Sequence, residues 1–263
     1  MENANINEAF ENLEKRAESN ATVNNDDYIG DDGLLYCGRC HTKKQCRVGF
    51  PHPDTIRTCT CRCETERIKK EKAEAEAENR LRSMKADAFL NNRRADDMQF
   101  RNSTVETTAM QAARDYARNL SVKIENGIGR IFAGDKGTGK TFAATCILND
   151  AIEHGYSCKS TSFSQIEREL SAPRANKCEV MDKLVHYDLI LLDDLGVERN
   201  TPYMQQIVYD VVDALYKAKK AILITTNLTP VELSARDCDS GRIYERILED
   251  SDIVECNGDS LRI

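Results

Sequence analysis

The chain has 263 residues, with 40% hydrophobic and 31% charged side chains and a formal net charge of −7. At about 100–200 residues per domain, that length holds one large domain or two modest ones. No apolar run approaches the roughly 18 residues needed to cross a bilayer, and the opening MENANINEAFENLEK lacks the apolar stretch of a secretory signal, which argues against a membrane or secreted protein and for a cytoplasmic one.

Residues 1–36 read as an acidic, poorly packed lead. Nine Asp/Glu stand there against Lys15 and Arg16, which accounts for the whole net charge. Residues 6–18 place Ile6, Phe10 and Leu13 on one face of a short helix, suited to core docking or to a partner. In residues 37–63 the balance reverses, with six Lys/Arg against Asp54. The global charge therefore does not argue against a nucleic-acid partner, because local fields set encounter.

The same segment, 37–63, holds six of the 11 cysteines; Cys146, Cys158, Cys178, Cys238 and Cys256 are scattered. An odd, clustered set reads as a reduced chain with one metal site rather than a disulfide scaffold. Cys37-Gly38-Arg39-Cys40 forms one half-site and Cys59-Thr60-Cys61-Arg62-Cys63 the other. A closed structural zinc site takes four ligands, so Cys37 and Cys40 are expected with two of Cys59, Cys61 and Cys63. Alternation along the second run leaves that pair open; Cys46 and His41 are weaker candidates. The segment is polar and broken by Pro51 and Pro53, so zinc would supply much of its folding energy.

Residues 64–99 are rich in Ala, Glu, Lys and Arg, strong helix formers, and predict a charged connecting helix or linker. Glu66–Lys70, Glu76–Arg80 and Glu78–Arg82 have the i, i+4 spacing of helical ion pairs, and no apolar heptad marks a coiled coil. Residues 100–263 alternate helical and apolar-strand patterns. Helices are predicted over 107–122, 140–154 and 163–170, the last with a Ser162/Gln165 capping box, and from Thr201-Pro202 to about Lys217. Strands are predicted at 128–134, 158–162, 189–194 and 221–227, and Thr229-Pro230-Val231-Glu232 opens a further helix. Continuously apolar strands alternating with helices imply an α/β fold whose parallel sheet is covered on both faces.

Gly134-Asp135-Lys136-Gly137-Thr138-Gly139-Lys140-Thr141 fits the phosphate-binding pattern GxxxxGK[ST] between an apolar strand and a helix, and the residues expected to bind the nucleotide run from Gly134 through Phe142. Glycines let the backbone wrap a phosphate closely, and the helix adds its positive end. Lys140 would reach the β- and γ-phosphates of ATP, and the Thr141 hydroxyl would ligate Mg²⁺. The strand LILLDD ends in two carboxylates, which are costly to bury uncompensated. Asp193 holding Mg²⁺ removes that objection, and Asp194 is then placed to orient or deprotonate the attacking water.

With these motifs, residues from about 100 to 263 resemble the AAA+ ATPase module of the DnaC/IstB family of helicase loaders and transposition helpers, most closely its phage-type loaders. Leu191-Leu192-Asp193-Asp194-Leu195-Gly196 is similar to the family's Walker B strand and turn, and Thr225-Thr226-Asn227 to its sensor 1, with Asn227 positioning the water. Gly241-Arg242-Ile243-Tyr244-Glu245-Arg246 resembles its basic helix, which makes Arg246, with Arg242, the arginine-finger candidate. Asn257-Gly258-Asp259-Ser260-Leu261-Arg262 resembles the sensor 2 segment, so Arg262 would touch the nucleotide's phosphates. The family pattern often has Asp-Glu where this chain has Asp193-Asp194; the shorter side chain implies slow or partner-dependent hydrolysis. The resemblance implies a three-layer AAA+ domain that self-assembles. It also implies ATP-dependent loading of a replicative hexameric helicase, gripped by the N-terminal region, onto single-stranded DNA held by the AAA+ domain. Tyr203, Arg168 and Arg174 are candidate strand contacts. The alternatives are an IstB-like transposition helper and a zinc-dependent adaptor with a structural nucleotide.

Overall fold

The computed structural model describes residues 24–49, 55–90, 92–196, 201–234 and 246–261. The helix predicted at 6–18, together with Cys238, Arg242 and Arg262, lies outside them. The chain divides into two compact units, residues 1–78 and 79–263.

In the first unit, β1 (Tyr28–Ile29) pairs antiparallel with β2 (Leu35–Tyr36), and β3 (Gln45–Val48) with β4 (Thr55–Thr58). Of the acidic lead, residues 24–36 are thus structured as a hairpin. Gly33, at φ +72°, supplies the left-handed turn of the first hairpin, and Leu34 is buried beneath it. The long helix α1 (Arg62–Phe89) begins here and ends in the second unit. Its surface pairs are mostly basic-first: Arg67 with Glu71, Lys70 with Glu74, Lys72 with Glu76.

The linker expected to run to residue 99 stops well short of it. Leu81, Met84, Ala88 and Phe89 recur at helical spacing and pack into the core of the second unit. Lys159 donates to the Asp87 carbonyl and Tyr187 to its carboxylate, which fixes the helix end. Then come α2 (Arg93–Asp96), α3 (Thr108–Arg118) and α4 (Leu120–Glu125). Asn149 donates to the carbonyls of Ala95 and Met98, holding the intervening turn.

The second unit is built on one parallel sheet in the order β6-β7-β8-β5-β9. These strands are β5 (Gly129–Ala133), β6 (Cys158–Thr161), β7 (Leu189–Leu195), β8 (Ala221–Thr226) and β9 (Ser251–Glu255). Between them run α5 (Lys140–Glu153), α6 (Phe163–Leu170), α7 (Lys177–His186), α8 (Pro202–Lys217) and the short α9 (Pro230–Ser234). Alternate strand residues feed two cores. Phe132, Leu189, Leu191 and Leu223 pack with α3 and α5; Ile131, Ile190, Leu192 and Ile224 pack with α6 and α8. This is the three-layer α/β arrangement expected.

The capping box at Ser162/Gln165 and the Thr201-Pro202 start both form as predicted. Two elements have no clear sequence pattern. β9 is an edge strand with its side chains half-exposed or exposed, so it carries no apolar run, and α7 buries only Leu184. Among the described residues no helix is long and apolar enough to cross a membrane.

Candidate nucleotide site and thiolate centre

The C-terminal ends of β5, β8 and β7 lie side by side, which brings residues 134–141, Asn227 and the Asp193-Asp194 pair to one edge of the sheet. β5 ends at Ala133, and Gly139 caps α5 at φ +87°, with Gly134 at +124° and Gly137 at +88°. Side chains rarely adopt such angles. Two of these glycines are also crowded. A Cβ on Gly134 would lie 2.7 Å from the Cys256 carbonyl oxygen, and one on Gly137 would lie 2.2 Å from Ser260 Oγ.

That crowding comes from the C-terminal segment, which lies along the loop. Cys256 donates its amide to the Ala133 carbonyl at 2.7 Å, Asp135 to Cys256 at 3.2 Å and Leu261 to Gly137 at 3.0 Å. Arg262 itself is beyond the described residues, but the chain leading to it is on the phosphate loop. Lys140 is buried, and its Nζ donates to the carbonyls of Gly134 and Asp135. The ammonium is therefore held inside the turn. Phe142, expected at the nucleotide, instead packs its ring against the core; it leaves only its backbone for the site.

Asp193 is the centre of a small network. Thr141 Oγ1 donates to its Oδ1 at 3.0 Å, Thr225 Oγ1 donates to the same oxygen, and Thr225 accepts the Asp194 amide at 2.9 Å. Burial pushes the Asp193 carboxyl above its ordinary range, opposed by the Thr225 bond, while the neighbouring Asp194 adds to the rise. Pairing with β8 shifts register between Leu192 and Leu195, and Asp194 takes φ +59°. That left-handed step turns Asp194 outward to exposure while Asp193 stays half-buried. Asp and Asn are the side chains that tolerate such a φ best, a local reason for Asp where the family pattern often has Glu. In sequence Thr225 is only the first residue of the run that ends at Asn227; its role as the clamp on Asp193 comes from the pairing of β7 with β8.

These residues fit a magnesium-bound nucleoside triphosphate. A glycine turn and a helix start provide convergent amides, one lysine sits within them, and a hydroxyl and a carboxylate lie 3.0 Å apart where the metal would be held. A cavity of about 440 Å³ adjoins Thr141, Asp193 and Asp194.

Arg246 bonds Asp213 and stands 5.6 Å and 5.5 Å from the rings of Tyr209 and Tyr216, all on α8 of its own chain. A role on a neighbour's phosphate would require it to give up this cradle. Tyr203 is 55% exposed, and Arg168 and Arg174 are exposed on or after α6.

In the first unit Cys37, Cys40, Cys61 and Cys63 converge, their sulfurs all within 4.8 Å of one another. Cys63 lies 3.6 Å from Cys37 and 3.4 Å from Cys61. Thiolates on a tetrahedral zinc stand about 3.8 Å apart, given Zn–S near 2.3 Å, so the donor set fits that ion. Cys59 is outside the cluster: its exposed thiol donates to the Lys43 carbonyl. The choice among the three cysteines follows from α1, which begins at Arg62 and puts Cys63 on its first turn. The Thr42 hydroxyl, 3.0 Å from Cys40 Sγ, lowers that thiol's pKa to about 5. Hydrogen bonding to the sulfurs of Cys61, Cys40 and Cys37 pushes the Cys63 pKa up to about 12, and a bound divalent cation would take the place of that shared proton.

The sequence profile of the IstB-like ATP binding protein family matches residues 64–263. The replicative helicase loader DnaC of Escherichia coli K12 is 26% identical over 140 residues, which is 51% of this chain and 57% of that protein. The chain thus spans little more than half the length of the curated relatives it matches. Among solved structures, the DnaC helicase loader superposes with a TM-score of 0.55 at 19% identity, over 63% of this chain and 99% of the other. DnaI superposes at 0.53 and 20% identity, over 62% and 90%. Both likenesses concern the fold.

Proposed function

Because this chain belongs to the IstB-like ATP binding protein family and has the DnaC/IstB-like AAA+ architecture, we propose that it is an ATP-dependent loader of a replicative hexameric helicase. The observation that carries this reading is the convergence of Thr141 and Thr225 on Asp193 beside the phosphate loop. In the proposed reaction the oxygen of a water bonds to the γ-phosphorus as the bond to the bridging oxygen of ADP breaks. Asp194 accepts the water's proton, Asn227 orients the water, and Lys140 stays against the β- and γ-oxygens. Magnesium would be held by Thr141 and Asp193 and would supply charge neutralisation at the transferred phosphoryl group.

Arg246 of an adjacent subunit, with Arg242, would add the cation that makes turnover depend on assembly, and Arg262 would touch the phosphates from its own subunit. Tyr203, Arg168 and Arg174 offer a stacking ring and charge to a single strand. Zinc on Cys37, Cys40, Cys61 and Cys63 would fold the region that holds the helicase.

The test is co-purification with a candidate hexameric helicase, with and without ATP. Capture of the helicase, with ATP-dependent release that Lys140→Ala abolishes, is expected. The family profile, named for IstB, favours a second reading as a transposition helper, which predicts no helicase capture but ATP-dependent assembly on duplex DNA. Turnover with single-stranded DNA no higher than in Lys140→Ala would leave only a zinc-dependent adaptor. Mixing Arg246→Ala with Lys140→Ala protein should restore part of the hydrolysis; no recovery at high concentration removes Arg246 from the finger role.

A further inference from the structure

The cavity of about 440 Å³ has an uneven border. Thr141, Asp193 and Asp194 form its nucleotide side; none of residues 134–140 touches it. The rest is the end of β6, the first turns of α6 and the turn after α1. Ser160, Thr161, Ser162 and Ser164, with Thr145, line the wall with hydroxyls. Arg168 is its one cation among the described residues, and it has no ion pair there. A wall of this kind demands a polar occupant or water.

We propose that this chamber receives the inorganic phosphate cut from ATP and holds it on Arg168 and the surrounding hydroxyls before release. The proposal rests on the hydrolysis reading above and adds a destination for one product. On one flank the phosphate loop is covered by residues 256–261, through the Cys256 and Leu261 bonds. ADP, while bound, fills the way in. The freed phosphate dianion stands against Asp193 and Asp194, whose like charge repels it. Those carboxylates border the cavity on its nucleotide side only, and the rest of its wall offers hydroxyl donors and the Arg168 guanidinium, whose fork matches phosphate oxygens. Its volume leaves room for part of the hydration shell.

The experiment uses the full chain loaded with ADP and magnesium and titrates it with radiolabelled inorganic phosphate in equilibrium dialysis. Binding is expected in the wild-type chain and roughly ten-fold weaker in Arg168→Ala, the loss typical of one charge-assisted bond. Ser164→Trp, at an exposed position on the border, should exclude phosphate. In single turnovers, free phosphate followed by a fluorescent phosphate reporter should lag acid-quench cleavage. Relative to each variant's own cleavage, the lag shortens in Arg168→Ala and lengthens in Ser164→Trp. No phosphate binding to the ADP form, or equal binding in all three proteins, overturns the proposal. So does an Arg168→Ala chain that loses single-strand binding but keeps its phosphate affinity. If no cleavage occurs under any condition, the hydrolysis reading fails, while the dialysis result still decides the anion site by itself.

Discussion

Oδ1 of Asp193 accepts two hydroxyl bonds, from Thr141 and Thr225, and the second hydroxyl also receives the Asp194 amide. Thr225→Val removes a donor and strands a backbone N–H, at a cost of about 1–3 kcal/mol. Thermal unfolding should show that loss, and calorimetry should show weaker magnesium-nucleotide binding. Asp193 can hold the metal only when ionised, and burial raises its pKa above the ordinary 3.8. Nucleotide affinity should therefore fall on acidification from a higher pH than an ordinary aspartate would set, and Thr225→Val should move that fall higher still. In the nucleotide-free protein the sign reverses. There the folded state holds the proton more tightly, so the contribution of Asp193 to stability declines as pH rises from the unfolded pKa through the folded one. Asp194→Asn keeps a side chain that tolerates φ +59°, so unfolding should stay close to wild type while hydrolysis drops by roughly 10²–10⁴-fold.

Among the elements, the start of α6 offers the cleanest test of local sequence against context. Ser162 accepts the Gln165 amide, and Gln165 returns a bond to the Ser162 amide. Ser162→Ala should cost about 1 kcal/mol, seen as a drop in Tm of roughly 2–4 °C for a domain of this size. Both partners stand within four residues, which is why this cap was legible. α1 shows the opposite. Its charged first turns were readable as helix, but Ala88 and Phe89 reach a core assembled from α3 and α5, residues far along the chain. β9 is a similar case. SDIVE carries no burial pattern of its own; it is a strand because β5 offers it an edge in parallel register from Gly129↔Ser251 to Ala133↔Glu255.

At the scale of the molecule, the two units differ in what holds them. Residues 79–263 bury two apolar clusters against one sheet. The described part of residues 1–78 buries little beyond Leu34, Cys37 and Cys61, so a zinc ion on the four cysteines, as proposed, would do most of the stabilising. Removing zinc with a chelator should open residues 24–61 to protease while ATP binding by the remainder survives. Cys61→Ser or Cys63→Ser should lose stoichiometric zinc by elemental analysis, and Cys59→Ser should retain it. Retention in Cys61→Ser with loss in Cys59→Ser would reverse the assignment.

Much of this protein was decided locally. The phosphate loop, its flanking strand and helix, the LILLDD strand and the caps at Ser162 and Thr201 all depend on residues adjacent in sequence, where backbone propensity and hydrogen-bonding chemistry act directly. The family resemblance rested on those same short runs. Tertiary structure alone chose Cys61 and Cys63 over Cys59, set Thr225 against Asp193, laid residues 256–261 over the glycine loop and tied Arg246 to Asp213. Each of these joins residues between about 20 and 130 positions apart. No local pattern encodes such a meeting, because strand order and helix packing determine which distant side chains become neighbours.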